Sequence, residues 1–298
     1  MKILVTGATG FIGLHLVRRL AATDHQVSCL VRSSSNVFAL EKLGVNLVTG
    51  DVTDRASLPD AMKGCDWVAN LANVYSFWES KRETYAQVNI EGTHNVMEAA
   101  LETGVSKVAH MSSVVTYGKP AKLPFTEETP VGPVQFSEYA RTKYEGDLIA
   151  WKLYEERKLP ILMLYPGGVV GPGDTKASGQ YVQDLINRGL PTRVFDDSAM
   201  SWVHVKDVAE ATLRALEKDG NVGEKYLVCG KCLTMREFNG MVTEISGVPL
   251  PKMQMPGPLV TLNAAALTAL SSITKKTPRW GMAADQMRTI RGGIEADG

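Results

Sequence analysis

A short apolar run, Ile3-Leu4-Val5, leads into Gly7-Ala8-Thr9-Gly10-Phe11-Ile12-Gly13, and an amphipathic stretch follows at once. Glycines at this spacing let the backbone turn tightly and approach a ligand closely. The helix that opens here offers free N–H groups and the positive end of its dipole. Strand, glycine turn and helix N-terminus in that order form a cradle for a pyrophosphate. The spacing is GxxGxxG rather than GxGxxG, and its strand–turn–helix setting gives it weight. Gly7, Thr9, Gly10, Phe11, Ile12 and Gly13 are therefore candidate nucleotide contacts.

Downstream, short β-branched runs alternate with amphipathic stretches. The pattern predicts strands at Lys2–Thr6, Gln26–Val31, Asn46–Thr49, Trp67–Leu71, Lys107–Met111 and Pro160–Tyr165. It predicts helices near Phe11–Ala22, Asn36–Leu43, Ser57–Lys63, Glu83–Thr103 and Phe136–Arg157. Such alternation reads as a parallel sheet with helices on both faces. Runs such as Ile161-Leu162-Met163-Leu164 lack polar alternation, as strands buried on both sides do. After Pro166 the glycine content rises, with a further helix at Val205–Lys218, a strand at Lys225–Val228 and a helix at Thr234–Ile245. The expected organisation is a dinucleotide-binding domain over 1–165 and a smaller, mainly substrate-binding lobe over 166–298. Segments around 200–218 are expected to return to the first domain. The 298 residues suffice for both.

The second strand ends in Val31-Arg32. An acidic residue there would hold a ribose 2′-OH, whereas Arg accommodates a 2′-phosphate. Arg32, with Ser33 and Ser34, favours NADP(H) over NAD(H); a solvated surface Arg is the alternative. Asp51-Val52 ends the third strand, where Asp51 could accept from the adenine amino group or simply form a turn.

Tyr139 and Lys143 are four apart, which on a helix places both on one face. A phenol with a pKa of about 10 is a poor acid–base catalyst at neutral pH, and a nearby ammonium is expected to lower it. These residues keep company with Gly50-Asp51, Leu71-Ala72-Asn73, Val88-Asn89-Ile90-Glu91-Gly92-Thr93, Ser112-Ser113-Val114-Val115-Thr116-Tyr117-Gly118 and Pro166…Gly171-Pro172-Gly173-Asp174. Over nearly its whole length the chain resembles the extended short-chain dehydrogenase/reductases of the NAD(P)-dependent epimerase/dehydratase type. It looks most like their dihydroflavonol-reductase-like branch, through Val31-Arg32, Asn73-Val74-Tyr75 and Val203-His204-Val205-Lys206-Asp207-Val208-Ala209. The resemblance implies a Rossmann-type doubly wound sheet and a C-terminal substrate lobe. It implies Ser113 as the residue that holds the substrate oxygen, with Ser112 as runner-up because only one of the two can face the cleft. Tyr139 would be the acid/base, and Lys143 would lower its pKa and hold the nicotinamide ribose. Leu71, Ala72, Asn73, Pro166, Gly168 and Val169 would join the cofactor contacts. Two patterns depart from many relatives: Leu71-Ala72-Asn73 stands for HxA, and Tyr165-Pro166-Gly167-Gly168 lacks an Arg before the Pro. Many relatives also continue with a further helix, which leaves open whether Gly298 is the natural end.

Substrate contacts are expected from Tyr75, Trp78, Val115, Tyr117, Phe136 and Trp202, an aromatic-rich set; core packing is the alternative for Trp78 and Trp202. A sugar nucleotide would call for cations at its diphosphate, and Arg188 or Arg193 could serve. His204 is expected to be structural, before a helix in which Asp207 could act as a cap. No cluster has metal-ligand spacing, and Cys229-Gly230-Lys231-Cys232 lacks the second pair that a zinc site needs. Lys plus Arg and Asp plus Glu number 32 each, which gives no reason to expect a nucleic acid or membrane partner. The stretch Pro258–Ile273 is broken by Thr261, Asn263, Thr268, Ser271 and Ser272 and reads as an amphipathic helix. A reduced, cytoplasmic protein acting on a small molecule is the expectation, and the resemblance implies a homodimer through helices near Asn89–Leu101 and Phe136–Trp151. Three functions follow: a carbonyl reductase or alcohol dehydrogenase for a mostly apolar or aromatic substrate, a sugar-nucleotide epimerase or dehydratase, and a non-catalytic NADP(H) sensor.

Overall fold

The computed structural model describes residues 1–278, 280 and 282–298. Ten strands form: β1 Lys2–Thr6, β2 Gln26–Val31, β3 Asn46–Thr49, β4 Trp67–Asn70, β5 Lys107–Met111, β6 Ile161–Pro166, β7 Gly168–Val170, β8 Ala199–His204, β9 Lys225–Val228 and β10 Cys232–Thr234. The larger sheet has the order β3-β2-β1-β4-β5-β6-β9, and its pairings are parallel. A second sheet, β10-β8-β7, stands beside it.

Parallel strands need crossovers, and these are the helices. They are α1 Phe11–Ala21, α2 Phe38–Glu41, α3 Leu58–Met62, α4 Glu83–Tyr85, α5 Thr93–Thr103, α6 Glu138–Arg157, α7 Ala177–Ile186, α8 Val205–Glu217, α9 Met235–Ser246, α10 Gly257–Thr274 and α11 Ala284–Gly292. Between α4 and α5 the chain runs as a π-helix, Ala86–Gly92. The expected helix Glu83–Thr103 is therefore helical throughout but widened in its middle.

Two cores cover the two faces of the large sheet. Ile3 and Val5 of β1 pack with Leu16, Leu20, Val208 and Leu213 of α1 and α8. Leu4, with the opposite pleat, packs with Val96, Ala100 and Leu153 of α5 and α6. Burial on both faces explains the unbroken apolar runs of these strands. Lys107 at the start of β5 is buried, and its ammonium donates to the carbonyls of Leu216 (2.8 Å) and Lys218 (2.5 Å) at the end of α8. A cation at a helix C-terminus is favourable, so this lysine ties α8 to the sheet.

After β6 the chain builds the second sheet, returns through α8 and β9, and leaves again. Its last segment threads back: Ser201 Oγ donates to the Ala296 carbonyl (3.0 Å), and the Phe125 N–H donates to the Glu295 carbonyl (2.9 Å). On α11, Asp285 accepts the Glu138 N–H at the start of α6 (2.8 Å), which joins the smaller lobe to the helix carrying Tyr139.

Candidate active site

A cleft of about 590 Å³ opens where β1 stands between β2 and β4, the point at which the strand order reverses. Gly7 has φ +67°, and a Cβ there would lie 2.7 Å from the Leu71–Ala72 backbone. A Cβ on Gly13 would lie 2.1 Å from the Gly7 carbonyl, so strand and helix approach this closely only with glycine. Gly10 caps α1 with no side-chain acceptor, which leaves first-turn N–H groups for a ligand. Thr6 Oγ1 donates to Asn70 Oδ1 (2.6 Å) and accepts from the Ala72 N–H (3.1 Å), locking the ends of β1 and β4 together. At the far end Arg32 lines the cleft and makes no ion pair among the described residues. Its neighbour there is Ser35, not Ser33: the Arg32–Ser35 turn, closed by Ser35 N–H to Arg32 carbonyl at 2.9 Å, brings the later serine round. One oxygen of Asp51 accepts from both the N–H and the hydroxyl of Thr53 (2.9 Å each).

The α6 helix starts at Ser137, whose Oγ accepts the Ala140 N–H (3.1 Å). It carries Tyr139 and Lys143 one turn apart, both buried. Tyr139 lines the cleft, edge-on to Tyr75 with ring centres 5.3 Å apart and to Phe77 at 6.4 Å. The serine pair divides. Both line the cleft, but Ser112 Oγ donates to Asp147 Oδ2 at 2.5 Å, whereas Ser113 Oγ accepts the Val115 N–H (3.4 Å) and stands near the Tyr139 phenol. The Lys143 ammonium donates to the Met111 carbonyl (2.8 Å). The expected lowering of the Tyr139 pKa does not occur in the free protein. Burial pushes the phenol well above the tyrosine range, Tyr75 and Asp147 push the same way, and only Ser113 pulls it back. Burial likewise pulls the Lys143 ammonium down, against the attraction of Asp147.

Below this pair lies a buried polar chain. Asn70 Nδ2 donates to His110 Nδ1 (3.0 Å), and His110 Nε2 stands 3.3 Å from Asp147 Oδ1. Burial, and then the charge of Lys143, hold His110 below its ordinary pKa. Asn89, in the π-helix, accepts the Val74 N–H (2.8 Å) and donates to Thr142 Oγ1 (3.1 Å), so it moors the Tyr75 loop to α6.

The remaining walls are mostly apolar: Tyr75, Phe77, Val115, Met200, Trp202 and Ile290 line them. Burial pushes the Tyr75 phenol up to about 12. Trp202 stacks on Phe238 with ring centres 4.2 Å apart, and Gly168 leaves room for its indole. Three expected substrate residues stand outside the lining. Tyr117 is a core residue, stacked on Phe125 at 4.5 Å. Phe136 lies against Gly292, where a Cβ would meet its ring at 2.5 Å. Trp78 is half-buried, its carbonyl accepting from Ser76 Oγ (2.6 Å). His204 caps α8 itself, Nδ1 accepting the Lys206 N–H (3.3 Å), in place of Asp207.

Residues 3–229 match the family model described as the NAD dependent epimerase/dehydratase family. The chain belongs to that family. It is 32% identical to sterol demethylase protein B of Methylococcus capsulatus, over 100% of this chain and 90% of that protein. It is 29% identical to a Synechocystis protein with the provisional name dihydroflavonol 4-reductase, over 85% of this chain and 74% of that one. Among solved structures, gox2253 superposes with a TM-score of 0.82 at 31% identity, covering 99% of this chain and 93% of its own.

For this epimerase/dehydratase family member the nicotinamide dinucleotide can be tested against the cleft itself. The glycine cradle, the uncapped α1 N-terminus and Arg32, which makes no ion pair among the described residues, suit a nicotinamide dinucleotide. Asn73 lines the same cleft and keeps a buried side-chain oxygen without a partner, an acceptor waiting for a donor. Trp202 Nε1 is likewise buried and unpartnered. Sequence reasoning missed Lys176, Ser178, Tyr181 and the α11 residues Gln286 and Thr289. None belongs to a motif, and only the packing of the smaller lobe brings them to the cleft.

Proposed function

We propose that this chain is an NADP(H)-dependent oxidoreductase acting on a carbonyl or secondary alcohol of a small, mostly apolar or aromatic molecule. Bound in the glycine cradle, the dinucleotide supplies or accepts the hydride. Gly7, Thr9, Gly10, Phe11, Ile12 and Gly13 would hold its pyrophosphate, and Arg32 would take the 2′-phosphate. Asp51 and Val52 face its adenine end, and Leu71, Ala72, Asn73, Pro166, Gly168 and Val169 flank the remainder. Ser113 holds the substrate oxygen and Tyr139 exchanges its proton. A phenol kept protonated by burial is the form that donates to a carbonyl oxygen as reduction places charge there. Lys143 is buried one turn from Tyr139 with its ammonium on the Met111 carbonyl, and in this reading it would hold the nicotinamide ribose. In this reading residues 1–165 bind the nucleotide and most of 166–298 encloses the substrate.

The observation that carries this reading is the charge of the cleft. Apart from Arg32 at the nucleotide end, Lys176 is the only cation among its described lining residues. Arg193, a candidate for a sugar diphosphate, instead stands 3.1 Å from the buried carboxylate of Asp196. The sterol association in the name of the Methylococcus relative fits an apolar substrate.

The test is a panel of alkyl, aryl and polycyclic ketones incubated with NADPH. The expected result is one NADPH consumed per alcohol formed. Epimerised or dehydrated nucleotide sugar with no net change in cofactor would replace this reading with the epimerase/dehydratase one.

A further inference from the structure

The helix α10 carries no charged side chain over its 18 residues, yet only Val260, Ala264 and Ser271 are buried. A contiguous stripe of exposed aliphatic side chains marks a surface that another apolar surface covers. Here the side away from the core exposes Leu259, Leu262, Leu270 and Ile273, the last two at 55% and 80%. Spacings of three and eight set these side chains in one stripe. Val260, Ala264 and the partly buried Leu267 hold the opposite side on Met282, Met287 and Ile290 of the smaller lobe.

Along the chain the charge flanking this stripe has one sign, while in space Asp196 and Asp197 stand by the first turn of α10, at the end away from Lys275 and Lys276. Residues 245–284 contain Lys252, Lys275, Lys276 and Arg279 and no Asp or Glu, in a chain whose overall charge is balanced. Lys275 and Lys276 are exposed immediately after the helix, and Trp280 is 43% exposed beyond them. Leucine and isoleucine on one side, lysines at the end and a tryptophan nearby are the ingredients of a helix lying in a membrane interface.

We propose that α10 docks flat on the surface of an anionic lipid bilayer. The aliphatic stripe enters the acyl boundary, and Lys275 and Lys276 meet the headgroups. The opposite side of the helix is packed into the smaller lobe, so this is a surface contact and not a span. The α11 helix, against which α10 packs, lines the cleft with Gln286, Thr289 and Ile290, so docking sets the cleft one helix away from the lipid. The inference stands on α10 and its flanking charges, whatever reaction the cleft carries out.

The experiment is flotation of the full chain with vesicles of phosphatidylcholine alone and with about 30% phosphatidylglycerol, at low and high salt. The protein is expected to float with the anionic vesicles, less with neutral ones and less at high salt. Leu262→Gln with Ile273→Gln should lower binding about tenfold or more, because two exposed aliphatics no longer enter the acyl region. Lys275→Gln and Lys276→Gln should each cost about fivefold on anionic vesicles only. Unchanged thermal melting would show that the variants fold, since all four side chains are solvent-exposed. Wild-type protein remaining in the aqueous fraction with both vesicles would overturn the proposal. So would a dimer by light scattering that Leu262→Gln with Ile273→Gln dissociates while vesicle binding is absent.

Discussion

At the residue scale the proposed chemistry turns on one phenol. Tyr139 is buried among rings, and removing its hydroxyl leaves the ring packing in place. Tyr139→Phe is therefore expected to lower kcat by about 10²–10⁴-fold while NADPH still binds. Stopped-flow turnover beside calorimetric titration would check both halves, and substantial residual kcat would remove Tyr139 from the chemistry. Arg32 is the second decisive residue. Among the described residues no carboxylate pairs with its guanidinium, and a charge-assisted hydrogen bond to a 2′-phosphate contributes about 1.5–3 kcal/mol. With its solvent exposure the lower end applies, so Arg32→Ala should weaken NADPH binding about tenfold and leave NADH binding nearly unchanged. Equal affinity of the unmutated protein for the two cofactors would overturn the NADP assignment. The adjacent serines show where residue-level reading stops. Both fit the motif, and the Asp147 carboxylate that claims Ser112 sits on a helix 35 positions away in sequence.

At the scale of elements, the β1–α1 turn is the proposed seat of the nucleotide and has no room for a side chain at its third glycine. The Cβ of Gly13→Ala would meet the Gly7 carbonyl at 2.1 Å. Overpacking of this kind costs about 1–3 kcal/mol. The variant should melt lower and lose NADPH affinity together. Calorimetry that finds full affinity would mean that the turn does not cradle the phosphates. The π-helix before α5 is a second such element. Its Asn89 contacts both the Tyr75 loop and α6, and a Cβ on Gly146 would lie 2.4 Å from the Asn89 carbonyl. Periodicity alone marks this stretch as helix, because one widened turn barely shifts the pattern. The mooring of the Tyr75 loop comes from Asn89, whose two hydrogen bonds no periodicity records.

At the scale of the whole molecule, the buried chain from Thr6 through Asn70 and His110 to Asp147 couples stability to pH. Burial holds His110 below its ordinary value, so the unfolded chain takes up a proton more readily than the folded one. The contribution is fully present above the unfolded pKa of about 6.5 and is lost as pH falls through the folded value. The drop in melting temperature from pH 7 to pH 5 should therefore be smaller for His110→Gln than for the unmutated protein, read by calorimetry at both pH values. Identical drops would show that His110 is not linked to folding. Local order accounts for what the sequence alone determined: the seven parallel strands, the glycine cradle, the Tyr139/Lys143 spacing and the family are all written in contiguous motifs or regular apolar periods. Tertiary structure alone decided which neighbour of a motif faces the cleft. Ser35 replaces Ser33 because a turn closes, Tyr117 leaves the substrate wall because Phe125 stacks on it, and α10 turns leucines outward while Ser271 is buried. In each case a contact between residues distant in sequence, or a turn closing over a few residues, sets the direction of a side chain, and no local pattern records that direction.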